Sequence, residues 1–299
     1  MRILVLGGTG YLGRHVAARL RALPGALILT AGRSPAAEFG ADLAADPAER
    51  LAGTLAAAAP DAVVNCAGAT GGDPVTLAEV NARGPAVLCA ALREAAPAAR
   101  LVHLGSAAEY GPGVPGTPVP ESAPACPVTL YGATKLAGTV AIGASAPDGV
   151  VLRVGNPVGP GAPPASLPGR LAALLRSAGQ DPEAVLRLGD LSAHRDFVDV
   201  RDVAQAVALA VITPGLLPPV LNIGAGKAVT VRELAHGLAG RAGFRGRWAE
   251  SVGGSARSGP VSWQCSDISA AQRALGWRPA HTLDDALTAL WSATAERVP

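Results

Sequence analysis

The chain has 299 residues, 49% of them hydrophobic but only 3% aromatic, with a formal net charge of +2; that is enough for one large or two smaller globular domains with a substantial core. The charge is too small and dispersed for a nucleic-acid surface, and no apolar run approaches the ~20 residues of a membrane-spanning helix. Cys66, Cys89, Cys126 and Cys265 form no Cys-x-x-Cys pair and the histidines are scattered, so reduced, mostly buried thiols are expected, with no disulfide framework and no metal site.

Arg2-Ile-Leu-Val-Leu-Gly7 is a short apolar run ending in glycine, the pattern of a buried parallel strand. It begins at once, leaving no room for a signal peptide, so the expected compartment is the cytoplasm. Gly7-Gly-Thr9-Gly10-Tyr11-Leu12-Gly13 follows, and a helical period starts at Arg14. Glycine is needed where the chain turns tightly, where backbone approaches a pyrophosphate, and where helix packs on strand. The helix N-terminus then offers free N–H groups to phosphates, so this segment predicts a dinucleotide site.

A second strand over Ala26 to Ala31 ends in Gly32-Arg33-Ser34. An acidic residue there would hydrogen-bond the ribose 2′-hydroxyl of NAD, whereas an Arg accommodates the 2′-phosphate of NADP. Arg33 therefore favours NADP(H) over NAD(H), against the plainer reading of a solvated loop arginine. Asp42 and Leu43, after the next short strand, are placed at the adenine edge. The run Asp61-Ala-Val-Val-Asn65 ends in Cys66, Ala67 and Gly68, residues small enough for close contact with the cofactor. Strand-like runs at 2–6, 26–31, 61–66, 100–105 and 150–154 alternate with alanine-rich helical stretches, which predicts an α/β fold with a doubly wound parallel sheet. Ligands bind beyond the carboxyl ends of such strands, where Ser106 and Asn156 fall. The Pro/Gly-rich stretch from Asn156 to Gly169 reads as a long irregular loop.

Tyr131-Gly-Ala-Thr-Lys135 contains one of only two lysines in the chain and one of 3 tyrosines. Arginine carries nearly all the other positive charge, yet a compact ammonium does what a planar guanidinium does poorly. Four apart on one helix face, the cation favours the phenolate and draws a phenol pKa of about 10 toward working pH.

Together these segments resemble the extended short-chain dehydrogenase/reductase family over nearly the whole chain. The match comprises Gly7, Gly10 and Gly13, the Tyr131/Lys135 pair, Ser106 placed 25 residues before Tyr131, and Asn81 in Val-Asn-Ala-Arg-Gly. It continues with Arg153-Val-Gly-Asn156-Pro-Val-Gly-Pro-Gly161, Arg195-Asp-Phe-Val-Asp-Val-Arg-Asp-Val203, Leu221-Asn-Ile-Gly224 and Leu275-Gly-Trp-Arg-Pro279. The resemblance implies a Rossmann domain over 1–155, joined by about 197–223, and a smaller substrate-binding domain over 156–196 and 224–299. It also implies a nucleotide-diphosphate sugar substrate and a homodimer through a four-helix bundle, formed here by the helices over Asn81 to Ala95 and Tyr131 to Ala144.

On the same ground Tyr131 is the general acid/base, Lys135 lowers its pKa and holds the nicotinamide ribose, and Ser106 donates to the reacting oxygen; the plainer reading of Ser106 is a turn cap. Asn81 joins the cofactor set. Substrate recognition falls on Asn156, Arg195 and Arg257, with Arg supplying bidentate contacts to phosphate. The family's dehydratases carry an acidic pair directly after the hydroxyl residue, but Ala107 and Ala108 stand there, and alanine exchanges no proton. Glu109, one place later, either faces the substrate or is a solvated carboxylate. The leading expectation is an NADPH-dependent reductase of a nucleotide-diphosphate 4-keto-6-deoxyhexose. The alternatives are a 4-epimerase holding NAD(P) permanently and a non-catalytic NADP-sensing regulator, the latter disfavoured by the intact Ser106/Tyr131/Lys135 set.

Overall fold

All five apolar runs read as strands enter one parallel sheet. The structure is a computed structural model and describes residues 1–146, 148–250 and 261–295. In chain order the strands are β1 (Arg2–Leu6), β2 (Leu27–Gly32), β3 (Phe39–Gly40), β4 (Ala62–Asn65), β5 (Arg100–Ser106), β6 (Gly149–Val154), β7 (Asn156–Val158), β8 (Val185–Leu188), β9 (His194–Asp199), β10 (Val220–Ile223), β11 (Ala228–Thr230) and β12 (Arg247–Glu250). The main sheet has seven strands in the order β10-β6-β5-β4-β1-β2-β3, all pairs parallel. The order reverses between β1 and β4, and a doubly wound sheet forms its ligand crevice at such a switch point.

Helices cover both faces, as a parallel sheet requires. One face is packed by α1 (Tyr11–Arg21), α7 (Val200–Ile212) and α9 (Ser269–Leu275), through Val16, Leu20, Val203, Val207 and Leu275. The other is packed by α2 (Ala48–Ala58), α4 (Gly84–Ala95) and α5 (Leu130–Ser145), through Leu51, Leu55, Leu88, Leu92 and Ile142. A short α3 (Pro74–Ala78) leads into α4 through a π-helical turn, Glu79–Arg83. Burying each large aliphatic side chain contributes about 1.5–3 kcal/mol, which binds the two helix layers to the sheet.

A third cluster lies outside the sheet. There α6 (Leu167–Ala178), α8 (Val231–Ala242) and α10 (Leu283–Ala295) bury Leu171, Leu175, Leu234, Leu238 and Leu287 against Leu186 and Phe197. Two small sheets accompany it, β11-β9-β7 and β12-β8. Two expectations change here. The chain over Asn156 to Gly169 is not wholly irregular, since β7 pairs in parallel with β9 and α6 begins at Leu167. Residues 269–277, read with the C-terminal part, pack on the main sheet instead: Trp277 is 1% exposed and its indole N–H donates to the Asp202 carbonyl at 3.0 Å. Among the described residues no helix is long and apolar enough to cross a membrane.

Candidate active site

The glycine loop between β1 and α1 is shaped by backbone contacts that side chains would block. Gly7 has φ +72°, and a Cβ there would sit 2.8 Å from the Ala67 nitrogen. A Cβ on Gly13 would lie 2.0 Å from the Gly7 carbonyl oxygen. The loop is thus folded onto both its own helix and the end of β4. Thr9 and Gly10 are exposed, Tyr11 and Leu12 are half-buried, and Gly10 caps α1 without a side chain. A helix start with no capping side chain, at the sheet's switch point, fits the pyrophosphate of a dinucleotide.

Opposite this loop, Gly68 is exposed and a Cβ on it would stand 3.6 Å from Asn81 Oδ1 and 3.9 Å from Lys135 Nζ. Asn81 is buried in the π-helical turn. Its Nδ2 donates to the Ala69 carbonyl at 2.8 Å and its Oδ1 accepts from the Ala69 nitrogen at 2.9 Å, so it splints the loop after β4. The half-buried Cys66 has its thiol pKa pushed up to about 12 by burial, against the pull of Lys135. It is a neutral wall of the cleft, not a reactive thiol. Cys126, expected buried, is exposed.

Arg33 is exposed just past β2, with no hydrogen bond or ion pair among the described residues. Asp42 Oδ1 accepts from the Ala44 nitrogen at 3.0 Å, fixing its own turn. The Leu43 side chain is buried in the core, and its carbonyl accepts from Arg83.

The helix that carries Tyr131 and Lys135, α5, docks on the turn that follows Ser106. Ser106 closes β5 and caps a 3-10 turn, Ala107–Glu109, with its Oγ accepting from the Ala108 nitrogen at 3.2 Å. Accepting that bond leaves the hydroxyl proton to be donated elsewhere, so capping and catalysis coexist. Thr129 caps α5 by accepting from Gly132, and a Cβ on Gly132 would lie 2.4 Å from the Ala108 carbonyl oxygen. Glycine beside Tyr131 is therefore what lets the helix reach the Ser106 turn. Further along the helix, a Cβ at Gly138 would lie 2.3 Å from the Asn81 carbonyl oxygen.

Lys135 is 4% exposed, donates from Nζ to the Leu104 carbonyl at 2.6 Å, and lies 3.5 Å from His103 Nε2. Burial lowers its pKa to about 8, while the charge of Glu109 opposes the fall. His103 is held neutral, its pKa lowered well below the usual value first by burial and then by the Lys135 cation. An ammonium on the same helix face as Tyr131 is placed to favour the phenolate of that residue.

Glu109 neither faces open space nor is solvated. It is 0% exposed, its Oε1 accepts from the Ser106 nitrogen at 2.8 Å, and its Oε2 accepts from Arg153 Nε at 2.7 Å and from Thr139 Oγ at 2.8 Å. The Arg153 guanidinium in turn lies 4.4 Å from the Tyr110 ring centroid. The sequence reading gave no role to Arg153, Thr139 or His103. The available signal was an arginine inside the apolar strand Gly-Val-Val-Leu-Arg-Val, because a charge in a buried strand demands a partner.

Of the expected substrate contacts, Asn156 opens β7, half-buried, two residues past the end of β6. Arg195 is 6% exposed and donates to the carbonyls of His194 at 2.8 Å and Val261 at 2.6 Å. Burial lowers its pKa and the Asp190 charge opposes this. Two of its N–H groups thus support backbone in the third cluster. Arg257 lies outside the described residues.

A parallel sheet with a glycine turn at its switch point, and Ser106, Lys135 and the start of α5 at its carboxyl end, is the arrangement of the extended short-chain dehydrogenase/reductase type. The comparisons agree: residues 3–224 match the NAD dependent epimerase/dehydratase family, and the chain belongs to it. It is 41% identical over 307 residues to dTDP-6-deoxy-L-talose 4-dehydrogenase (NAD(P)(+)) of Kitasatospora kifunensis, covering 98% of this chain and 95% of that one. It is similar to the solved structure of RMD from Pseudomonas aeruginosa with NADPH, at TM-score 0.86, 26% identity and 99% coverage of both chains. It is likewise similar to UDP-glucose 4-epimerase of Thermus thermophilus with NAD, at TM-score 0.84, 26% identity and full coverage of both chains.

Proposed function

We propose that this protein interconverts a 4-keto and a 4-hydroxyl group on a nucleotide-diphosphate 6-deoxyhexose, acting as an NADPH-dependent 4-ketoreductase. The observation that carries the reading is the turn after Ser106. Ala107 and Ala108 occupy the acidic positions of the family's dehydratases and Glu109 is engaged by Arg153, which leaves Ser106, Tyr131 and Lys135 for chemistry at a single carbon–oxygen bond. End-to-end similarity to a dTDP-6-deoxy-L-talose 4-dehydrogenase supports the same substrate class, since a dehydrogenase and a ketoreductase are one equilibrium approached from opposite sides.

Residues 7–13, Arg33 and Cys66–Gly68 would hold the cofactor, with its ribose on Lys135, and the cofactor would supply or accept the hydride. Ser106 donates its hydroxyl proton in a hydrogen bond to the reacting oxygen. Tyr131 passes a proton to that oxygen in reduction and takes it back in oxidation. Lys135 stabilises the phenolate and orients the ribose. Positioned proton transfer of this kind contributes about 10²–10⁴-fold. Asn156 and the part of the chain outside the main sheet would hold the sugar nucleotide, with Arg33 selecting NADPH by its 2′-phosphate. The side-by-side packing of α4 and α5, with Val140 of α5 61% exposed, supports a dimer through these helices, testable by light scattering.

The deciding experiment is NADPH oxidation on adding a dTDP-4-keto-6-deoxyhexose, monitored at 340 nm, with the product identified by NMR. Net oxidation supports the reductase. Protein that retains bound NAD(P) and equilibrates C4 epimers without net oxidation would make it a 4-epimerase. Cofactor binding with no turnover of any ketosugar would leave the regulator.

A further inference from the structure

The buried carboxylate of Glu109 touches every element that bears a catalytic candidate. Its Oε1 binds the nitrogen of Ser106 itself. Its Oε2 binds Thr139, one helical turn after Lys135 on α5, and Arg153 on β6, three residues before Asn156. The fit is tight: a Cβ on Gly105 would lie 2.8 Å from Oε1, so glycine there is what allows the carboxylate to lie against β5. Lys135 reaches the same stretch of β5, donating to the carbonyl of Leu104. The groups facing Lys135 are His103 of β5, Cys66 after β4, Glu109 of the 3-10 turn and, on its own helix, Tyr131; Arg153 of β6 is paired to Glu109. Among them Glu109 is the carboxylate, His103 being neutral and Cys66 a thiol.

We propose that Glu109 is the positioning residue of this site: a buried counter-charge that keeps Lys135 an ammonium and a three-way tie that holds Ser106, α5 and β6 in one frame. An uncompensated ammonium in an apolar interior loses its proton instead of remaining charged. Burial has already brought Lys135 down to about 8, with the Glu109 charge the first influence opposing it. Without that carboxylate a larger share of Lys135 is neutral at working pH and favours the Tyr131 phenolate less. The inference rests on the proposed oxidoreductase reading only for its consequence in catalysis. The charge relation itself is a property of the unliganded protein.

The chain has only two lysines, Lys135 and the exposed Lys227, so lysine labelled with ¹³C at Cε gives two NMR signals whose titration reads Lys135 directly, with no cofactor or substrate. In the native protein the Lys135 signal should titrate well below that of Lys227. In Glu109→Gln its midpoint should fall further, by roughly one pH unit or more, while Lys227 stays fixed. If the lone buried Arg153 keeps this variant from folding, Glu109→Gln/Arg153→Gln removes both charges together. The Lys135 midpoint should fall less there than in Glu109→Gln, because the Arg153 cation, 2.7 Å from the carboxylate, offsets part of its pull on Lys135. Thr139→Val cuts one tie, keeps the carboxylate, and should leave the midpoint in place. An unchanged Lys135 midpoint in a folded protein lacking the carboxylate overturns the proposal, whatever the substrate proves to be. So does a fall of equal size in Thr139→Val, which would mark a structural effect without a role for charge.

Discussion

The sheet carries a buried arginine near each end, and the two are held differently. At the amino end Arg100, on β5, bonds a partly exposed Asp148 at 3.0 Å and the carbonyls of Ala210, Thr213 and Gly215. At the carboxyl end Arg153, on β6, bonds a carboxylate with no exposure at all. Arg100 fastens the end of α7 and the loop after it to the sheet, and water at Asp148 shares the load. Arg153 has no such relief, so its charge must be met by Glu109, and Glu109 is also what holds Ser106. A cation at the amino end is a clamp; a cation at the carboxyl end belongs to the frame of the chemistry.

That contrast can be broken experimentally, beginning with the chemistry itself. Tyr131→Phe should lower kcat by about 10²–10⁴-fold while leaving KM, NADPH affinity and the thermal midpoint near those of the native protein, as steady-state kinetics and calorimetry would read. Near-native kcat would remove Tyr131 from the mechanism. Arg153→Met should cost both ends of the comparison at once. It strands Glu109, so urea denaturation should show a loss of about 3–5 kcal/mol, with turnover falling in the remaining folded protein. Arg100→Met should cost less, about 1.5–3 kcal/mol by the same measurement, and leave kcat/KM unchanged; a comparable loss of turnover would erase the distinction.

Two smaller effects sharpen it. Arg33 sits at the exposed rim of the carboxyl end. Arg33→Ala should therefore weaken NADPH binding about ten- to a hundredfold, the equivalent of roughly 1.5–3 kcal/mol for a charge-assisted contact. NADH affinity, read by fluorescence titration, should barely move, and added salt should narrow the gap. Equal affinity for both cofactors in the native protein would favour the epimerase. His103 gives the smallest. Its folded pKa is lowered below its unfolded value, so the unfolded chain takes up a proton first as the medium is acidified. Its contribution is fully present above about pH 6.5 and is lost as pH falls below that, by at most about 1.4 kcal/mol per pH unit. His103→Phe should flatten this part of a plot of urea midpoint against pH between 6.5 and 5; an unchanged slope would assign acid lability elsewhere.

What the sequence disclosed depended on how local each demand was. The cradle was legible because three glycines within one turn answer backbone contacts within that same turn, as with Gly13 against the Gly7 carbonyl. The five strands were legible as apolar runs closed by small residues. Tyr131 and Lys135 were legible because a helix puts them on one face. The pair Glu109 and Arg153 was not, since 44 residues separate them and no periodicity links the turn after β5 to β6. Nothing local marked Glu109 as a buried tie, and it read as a surface or substrate group. Arg195 shows the same limit: its motif was recognisable, but its burial against the Val261 carbonyl comes from a distant segment and could not be read. The three-residue strands β7 and β11 carry too little pattern to be read at all.

The two glycines of α5 have a consequence for how such a protein can change over time. Gly132 presses on the carbonyl of Ala108 and Gly138 on that of Asn81, so the helix bearing Tyr131 and Lys135 is registered by main-chain contacts at two separate points. None of those contacts involves the loops beyond Asn156. Variation can therefore accumulate in those loops while the seating of α5 on the turn after Ser106 is inherited unaltered.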